Sequence, residues 1–327
     1  MIRSVFYSPE GKIKTEVNQG EFILLKESDG GVLWIDMYGD DKANYKLVLE
    51  EIFGFHPLAV DNALEETHVP KVDDWGAYLY LVLHNFEIHP GVDLIRVNEL
   101  DVFVGKGFLI THHPEPISDL DRAWESCQWD PRLLKRGTLT LLYHLSNMLV
   151  EGHIPVLDQL EVQINELEDQ ILHAPREDTL EQIFTLKRSL VRLRRIMNPQ
   201  REVFYKLSHN DLTAVEHEQR LFFRNIYDHY VLLNDLTESL RELVASSLEI
   251  YLSAANNRMN QVVKVLTIIT TMFMPLTFIT SLFGMNFFQL EFSVFTPLGK
   301  AALIIALLLL TSTPTLMYLW MRRREWM

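Results

Sequence analysis

The sequence predicts a mixed α/β domain, then a long stalk helix that continues into the first of two C-terminal transmembrane helices. Three observations carry that prediction. Short apolar runs bounded by Gly or Asp fill the first 130 residues, as strands do. Further on, apolar residues recur at alternating spacings of three and four. The final quarter of the 327-residue chain holds two long stretches without a charged residue.

In chain order, residues 21–25 and 31–36 read as strands, as does 78–83, which is rich in strand-forming Tyr, Leu and Val. Residues 100–104 and 108–111 flank Gly105-Lys106-Gly107 and read as a hairpin. Helices are predicted near 57–66 and 117–128. After Pro131 the pattern turns helical, with Leu157, Leu160, Ile164, Leu167 and Ile171 on one face. Pro175 interrupts it. A second helix is expected over 177–197, its cationic end at Arg192, Arg194 and Arg195 suiting the helix dipole, and Pro199 is expected to end it. The third helix starts near Thr213 and meets no Pro or Gly before Pro275. Within it Leu233, Leu236, Leu240, Leu243, Ser247, Ile250 and Ala254 form a heptad seam, suited to copies of itself or to neighbouring helices.

Residues 265–290 and 301–321 carry no charge, and each is long enough to cross a hydrocarbon core of about 30 Å. Arg258 and Lys264 precede the first span and Arg322, Arg323 and Arg324 follow the second, so both ends are expected in the cytoplasm. The start of the chain has no apolar core of signal-peptide length, and membrane insertion is expected to depend on these two spans. The predicted organisation is therefore 1–130 α/β domain, 131–212 helical pair, 213–283 stalk and first span, 284–298 outer loop, 299–321 second span and 322–327 basic cytoplasmic tail.

Composition narrows the function. The formal net charge of -14 is concentrated before the spans, which argues against nucleic acid as a partner. Cys127 is the only cysteine, so neither an intramolecular disulfide nor a cysteine zinc cage is available. There is no Gly-rich phosphate loop, nucleophile elbow or HExxH. His112 and His113 are adjacent on a predicted strand, point to opposite faces and do not make a shared metal site.

The first span is more polar than the second. Asn260, Val263, Leu266, Thr270, Met274, Thr277 and Ser281 share one face by their spacing. The face offers hydroxyls and polarisable sulfur without a fixed charge, although Thr and Ser also serve simple helix packing. Two helices per chain do not enclose an aqueous path, so a pore requires an oligomer.

The run Asn257-Arg258-Met259-Asn260, then Lys264-Val265-Leu266-Thr267-Ile268, then Met274-Pro275-Leu276-Thr277-Phe278-Ile279, ending in Gly284-Met285-Asn286-Phe287, resembles the CorA family of magnesium and cobalt transporters. The Gly-Met-Asn triplet directly after the penultimate span is that family's hallmark. The resemblance extends over the N-terminal domain, the stretch from Pro199 to Val203 and the basic C-terminus.

It implies a homopentameric funnel in the lipid bilayer, with an α/β/α sandwich in the cytoplasm and the first span of each subunit lining the pore. Carried over by position, Gly284, Met285 and Asn286 form the selectivity filter, with Gly284 and Asn286 meeting hydrated Mg²⁺ through its water shell. Asn260, Val263, Leu266, Thr270, Met274, Thr277 and Ser281 line the path. Magnesium parts with its waters reluctantly, so neutral oxygens at water-bridging distance suit it better than carboxylates. On residue type alone, Asn286 also reads as a helix cap.

Val263 stands where the family commonly has Met, and Ser281 where it commonly has Gly. In the cytoplasmic domain, acidic residues that bind regulatory divalent ions in the family align with Asn62 and Asn225, with Asp61 and Asp228 beside them. The function implied is potential-driven Mg²⁺ uptake, with Co²⁺ and Ni²⁺ as further ions. No cofactor is expected beyond Mg²⁺ as transported and regulatory ion, and no enzymatic activity. The alternatives are the related zinc-transporting ZntB branch and, from another class, a membrane-anchored sensor or enzyme.

Overall fold

The computed structural model describes residues 1–65, 69–89, 94–173, 178–209, 212, 214–284 and 297–324. They divide into two units, Met1–Ile250 and Tyr251–Met327.

The first unit is built on a seven-stranded sheet. Its strands are β1 Ile2–Tyr7, β2 Ile13–Thr15, β3 Val32–Tyr38, β4 Lys71–Asp74, β5 Tyr78–Ile88, β6 Ile95–Gly105 and β7 Phe108–His113. Their order is β2-β1-β3-β7-β6-β5-β4. Every pairing is antiparallel except β3 with β7. The expected hairpin is β6–β7, which closes Gly105 against Phe108 around Lys106 and Gly107. Gly107 has φ +85°, and a Cβ there would stand 3.0 Å from the Lys26 carbonyl, so both conformation and space require glycine.

One sheet face presents Leu33, Ile35, Met37, Tyr80, Val82, Phe103 and Ile110 to α1 Phe22–Lys26, α2 Lys42–Leu47 and α3 Pro57–Leu64. The other presents Trp34 to Trp124 of α4 Ser118–Trp129, with ring centroids 4.6 Å apart, and packs on α6 Thr138–His173. A short α5, Arg132–Lys135, leads into α6, and α7 Thr179–Ser208 packs on α6, β4 and β5. The sheet is thus covered on both faces, as its nearly continuous apolar central strands demand.

Two local expectations are corrected. Residues 21–25 are not a strand: Phe22–Lys26 is helical. Phe22 is buried against Phe53, Leu25 packs on the same core, and Ile23 and Leu24 face out, which is the spacing of a helix turn. Four consecutive apolar residues, Phe22 to Leu25, carry no period of their own. Nor does Pro199 end its helix, since α7 continues to Ser208. Proline removes one donor to the preceding turn. That turn is held from outside, where Asn234 donates to the Met197 carbonyl at 3.4 Å and Thr237 reaches the Met197 sulfur at 3.1 Å.

The last long helix of this unit, α8, runs from His217 to Gly284. Phe223, Ile226, Tyr230, Leu233, Thr237, Leu240, Val244 and Ser247 are its buried positions, in unbroken three-four alternation. This seam shares Leu233, Leu240 and Ser247 with the predicted one but takes Thr237 and Val244 instead of Leu236 and Leu243. It is used inside the chain: Ser247 donates to Glu168 of α6 at 2.8 Å. Leu236 and Leu243 are left half-buried on its flank.

The second unit contains the remainder of α8 and α9 Pro297–Arg323. Each holds a stretch long and apolar enough to cross a membrane. Pro275 and Pro314 lie inside these helices, where soluble helices rarely tolerate proline.

Candidate functional site

The predicted pore face lies on one helix, α8. Asn260, Val263, Leu266, Thr270, Met274, Thr277 and Ser281 fall within one helical stripe, and all seven are exposed in the single chain. The hydroxyls of Thr270 and Thr277 lie on the helix surface. Leu266 and Met274 are 63% and 73% exposed, an extent that leaves large apolar surface for lipid or for other chains to cover.

The hydroxyls of the stripe have a defined polarity. Thr270 donates to the Leu266 carbonyl and Thr277 to the Phe273 carbonyl, each at 2.9 Å. Thr267 and Thr280, beside the stripe, do the same to Val263 and Leu276. With the proton spent on the helix's own backbone, each oxygen keeps lone pairs and turns outward as an acceptor. Sequence spacing places these threonines on a face; it does not say which way their protons point.

Gly284 is the last described residue of α8, and among the described residues nothing stands within 4 Å of where its Cβ would be. Met285 and Asn286, the rest of the triplet, lie outside the described residues. At the opposite end of the stripe, Arg258 and Lys264 are exposed on α8, and Arg322 and Arg323 close α9.

The four candidate regulatory residues come from two helices. Asp61 and Asn62 are on α3, and Asn225 and Asp228 are exposed on α8. The Asp61 carboxylate already accepts from Lys46 at 2.9 Å, a partner fifteen residues away that no sequence pattern announces. Its side chain is about half exposed, so this pair contributes little to stability.

The adjacent histidines behave as their alternation requires. His112 faces Asp101 across 3.5 Å on one side of the sheet, and His113 faces Asp36 across 3.2 Å on the other. Burial pushes the Asp101 carboxyl up to about 6, against the opposing pull of His112. Burial also acts to raise Asp36, but His113, Arg3 and Thr111 together outweigh it and hold that carboxyl below the usual range. Among the described residues no three His, Cys, Asp or Glu gather as a metal site.

The family model described as CorA-like Mg2+ transporter protein matches residues 29–323. The cobalt/magnesium transport protein CorA of Thermotoga maritima is 31% identical over 283 residues, covering 86% of this chain and 80% of the Thermotoga protein. A putative metal ion transporter of Bacillus subtilis, YfjQ, is 30% identical over 291 residues, covering 87% of this chain and 90% of its own length. In fold, the chain superposes on the complete structure of the CorA magnesium transporter from Methanocaldococcus jannaschii with a TM-score of 0.85. That match is 24% identical and covers 100% of this chain and 99% of the other.

Proposed function

The chain belongs to the CorA-like Mg2+ transporter protein family, and from that membership we propose that it conducts Mg²⁺ into the cell through a pore formed by α8 from five copies. It is a membrane transport protein, not an enzyme. Mg²⁺ is its substrate, with Co²⁺ and Ni²⁺ as further ions.

The observation that carries the reading is the acceptor stripe on α8. A hydrated magnesium ion presents water hydrogens on every side, and it keeps its shell. Threonine oxygens whose own protons are tied to the helix receive such hydrogens without competing as donors. No carboxylate on the stripe grips the bare ion. Asn260 and Ser281 extend the acceptors to both ends, while Leu266 and Met274 narrow the path with apolar surface that gates by excluding water. At the outer end Gly284, Met285 and Asn286 form the filter. Five Asn286 amide oxygens hold the ion through its waters, and Gly284 lets the backbone turn there.

The membrane potential supplies the driving force. One charge crossing 100 mV gains about 2.3 kcal/mol, and a divalent ion about twice that, so no nucleotide is needed. Both termini are placed in the cytoplasm by Arg258, Lys264 and the arginines from Arg322 to Arg324. A cytoplasmic divalent site involving Asp61, Asn62, Asn225 and Asp228 favours the closed state across neighbouring copies. It is weak, because two of its members are amides and an incoming ion must displace Lys46 from Asp61.

Ion flux into proteoliposomes tests this reading, with wild type and Asn286→Ala compared in Mg²⁺ and then Zn²⁺. Potential-driven Mg²⁺ entry that is lost in the variant is the expected result. Zn²⁺ movement following a pH gradient, without Mg²⁺ entry, moves the protein to the zinc-transporting branch. No flux of either ion from folded pentamers refutes the transport mechanism.

A further inference from the structure

A buried polar chain joins four elements of the first unit, and the mechanism above makes no use of it. His84 lies on β5 two residues beyond Val82, the last β5 residue described as pairing with β4. Its backbone is completed by a side chain instead: the His84 amide donates to Gln200 Oε1 at 2.8 Å, and Gln200 Nε2 donates to the His84 carbonyl at 3.0 Å. Gln200 belongs to α7, directly after Pro199. Its second amide proton goes to the Tyr230 hydroxyl on α8 at 2.5 Å. Tyr230 in turn stands 3.3 Å from His153 Nδ1 on α6.

The direction of each link is determined by valence. Both Gln200 amide protons are spent, so Tyr230 accepts from Gln200 and gives its own proton to His153. His153 Nδ1 is then the acceptor, and its ring proton sits on Nε2. That nitrogen is buried, and among the described residues no partner stands at it. The imidazole stacks on Phe86 with centroids 3.8 Å apart, and the Tyr230 ring stacks on Phe204 at 5.2 Å. Gln200, Tyr230 and His153 are all fully buried.

The neighbouring contacts of α8 are of another kind. Ile226, Leu233 and Leu240 pack through apolar surface, which is non-directional and yields to a small slide or rotation. A hydrogen bond from Gln200 to Tyr230 does not yield in this way. Displacing α8 by an ångström or two breaks it and leaves one buried Gln200 amide proton and the Tyr230 oxygen without that bond. A directional link of modest net strength between a sheet and a long helix has the character of a two-state element.

We propose that Gln200 and Tyr230 form a latch that sets the position of α8 and, through that helix, the balance between conducting and closed states. The proposal rests on the reading that α8 lines the ion path. Gln200 and Tyr230 are positioning residues and touch no ion.

The test uses full-length protein in proteoliposomes, with Tyr230→Phe, Gln200→Leu and the double variant. Tyr230→Phe removes one hydroxyl and keeps the ring on Phe204. Each single variant is expected to change initial Mg²⁺ flux about fivefold, the factor corresponding to one hydrogen bond of ~1 kcal/mol. Both changes should have the same sign, and the double variant should match a single one, with the Mg²⁺-to-Zn²⁺ ratio unaltered. Leu233→Ala, a packing lesion on the same seam, should lower the melting temperature and leave flux per folded protein unchanged.

Unchanged flux, opposite signs or effects that multiply in the double variant overturn the latch. Hydrogen exchange judges it independently of transport. Amides of β5 around His84 and of α8 around Tyr230 should exchange about fivefold faster in Tyr230→Phe, while those of α4 do not change. Wild type without flux but with this exchange pattern removes the transport mechanism and retains the latch. Exchange identical to wild type removes the latch whatever the flux.

Discussion

Replacing Arg3 with Met should destabilise the first unit by about 2–3 kcal/mol, because it leaves a buried carboxylate short of its cation. Asp36 is fully buried on β3. Its Oδ2 accepts from Arg3 Nε at 2.7 Å, and its Oδ1 accepts from Thr111 at 2.5 Å. The same guanidinium lies 4.5 Å from the centre of the Trp124 ring and reaches Asp121 at 2.6 Å. Breaking a wholly buried ion pair costs about 3–5 kcal/mol. Arg3 is 24% exposed and Asp36 keeps Thr111 and His113, so the lower figure applies.

For a unit of this size each kcal/mol shifts the melting temperature by about 2–4 °C, giving a fall of about 4–12 °C. Methionine retains most of the stem packing, so the loss reports charge more than volume. Thermal unfolding of detergent-solubilised protein measures it at pH 7. The Asp36 carboxyl is held below its unfolded value. Its contribution is therefore complete above about pH 4 and is lost as pH falls through the folded value, and the gap between variant and wild type should close in that acid range. In an Asp36→Asn background the Arg3 substitution should cost less than about 1 kcal/mol, since a neutral amide leaves no charge unpaired. Equal costs in the two backgrounds would show that Arg3 acts through Trp124 and Asp121 and refute the account based on the buried Asp36 charge.

Two further outcomes follow from buried contacts. Asp101 is pushed up to about 6 in the folded chain, so its stabilising contribution is complete below about pH 4 and is lost as pH rises to that value. Asp101→Asn keeps an acceptor for the Tyr80 hydroxyl, which lies at 2.6 Å, and the melting temperature of the variant relative to wild type should rise between pH 4.5 and 7.5; a gap independent of pH contradicts this. Gly152 of α6 lies against Asp119 of α4 so closely that an added Cβ would overlap the carboxylate. Gly152→Ala should cost about 1–3 kcal/mol in thermal unfolding, and the double variant with Asp119→Ala should recover most of it.

The legible features of the chain were those written in neighbouring residues. The β6–β7 hairpin follows from a Gly-Lys-Gly turn between two apolar runs, and α3 and α4 lie within a few residues of their expected bounds. Both membrane-length stretches follow from the absence of charge over a sufficient length. The candidate pore face is legible for the same reason, since a 3.6-residue period places Asn260 to Ser281 on one stripe whatever surrounds it.

Other features depended on residues distant in sequence. Phe22 is helical because Phe53 receives its ring, and α7 passes Pro199 because Asn234 and Thr237 support the turn before it. The stalk seam was visible as a period, but its partner was not: α6 and α7 claim Tyr230, Thr237 and Ser247 within the chain. Lys46 on Asp61 and the latch from His84 to His153 have no sequence signature, because their members lie far apart and each residue type is ordinary by itself. Sequence alone thus determined the local periods, the membrane-length stretches and which hydroxyl-bearing residues share a face, all of which arise from backbone geometry and transfer free energy acting over one or two turns. Tertiary structure decided which face each helix buries and where its polar groups find partners, because a buried donor is satisfied by whatever packing brings within 3 Å of it.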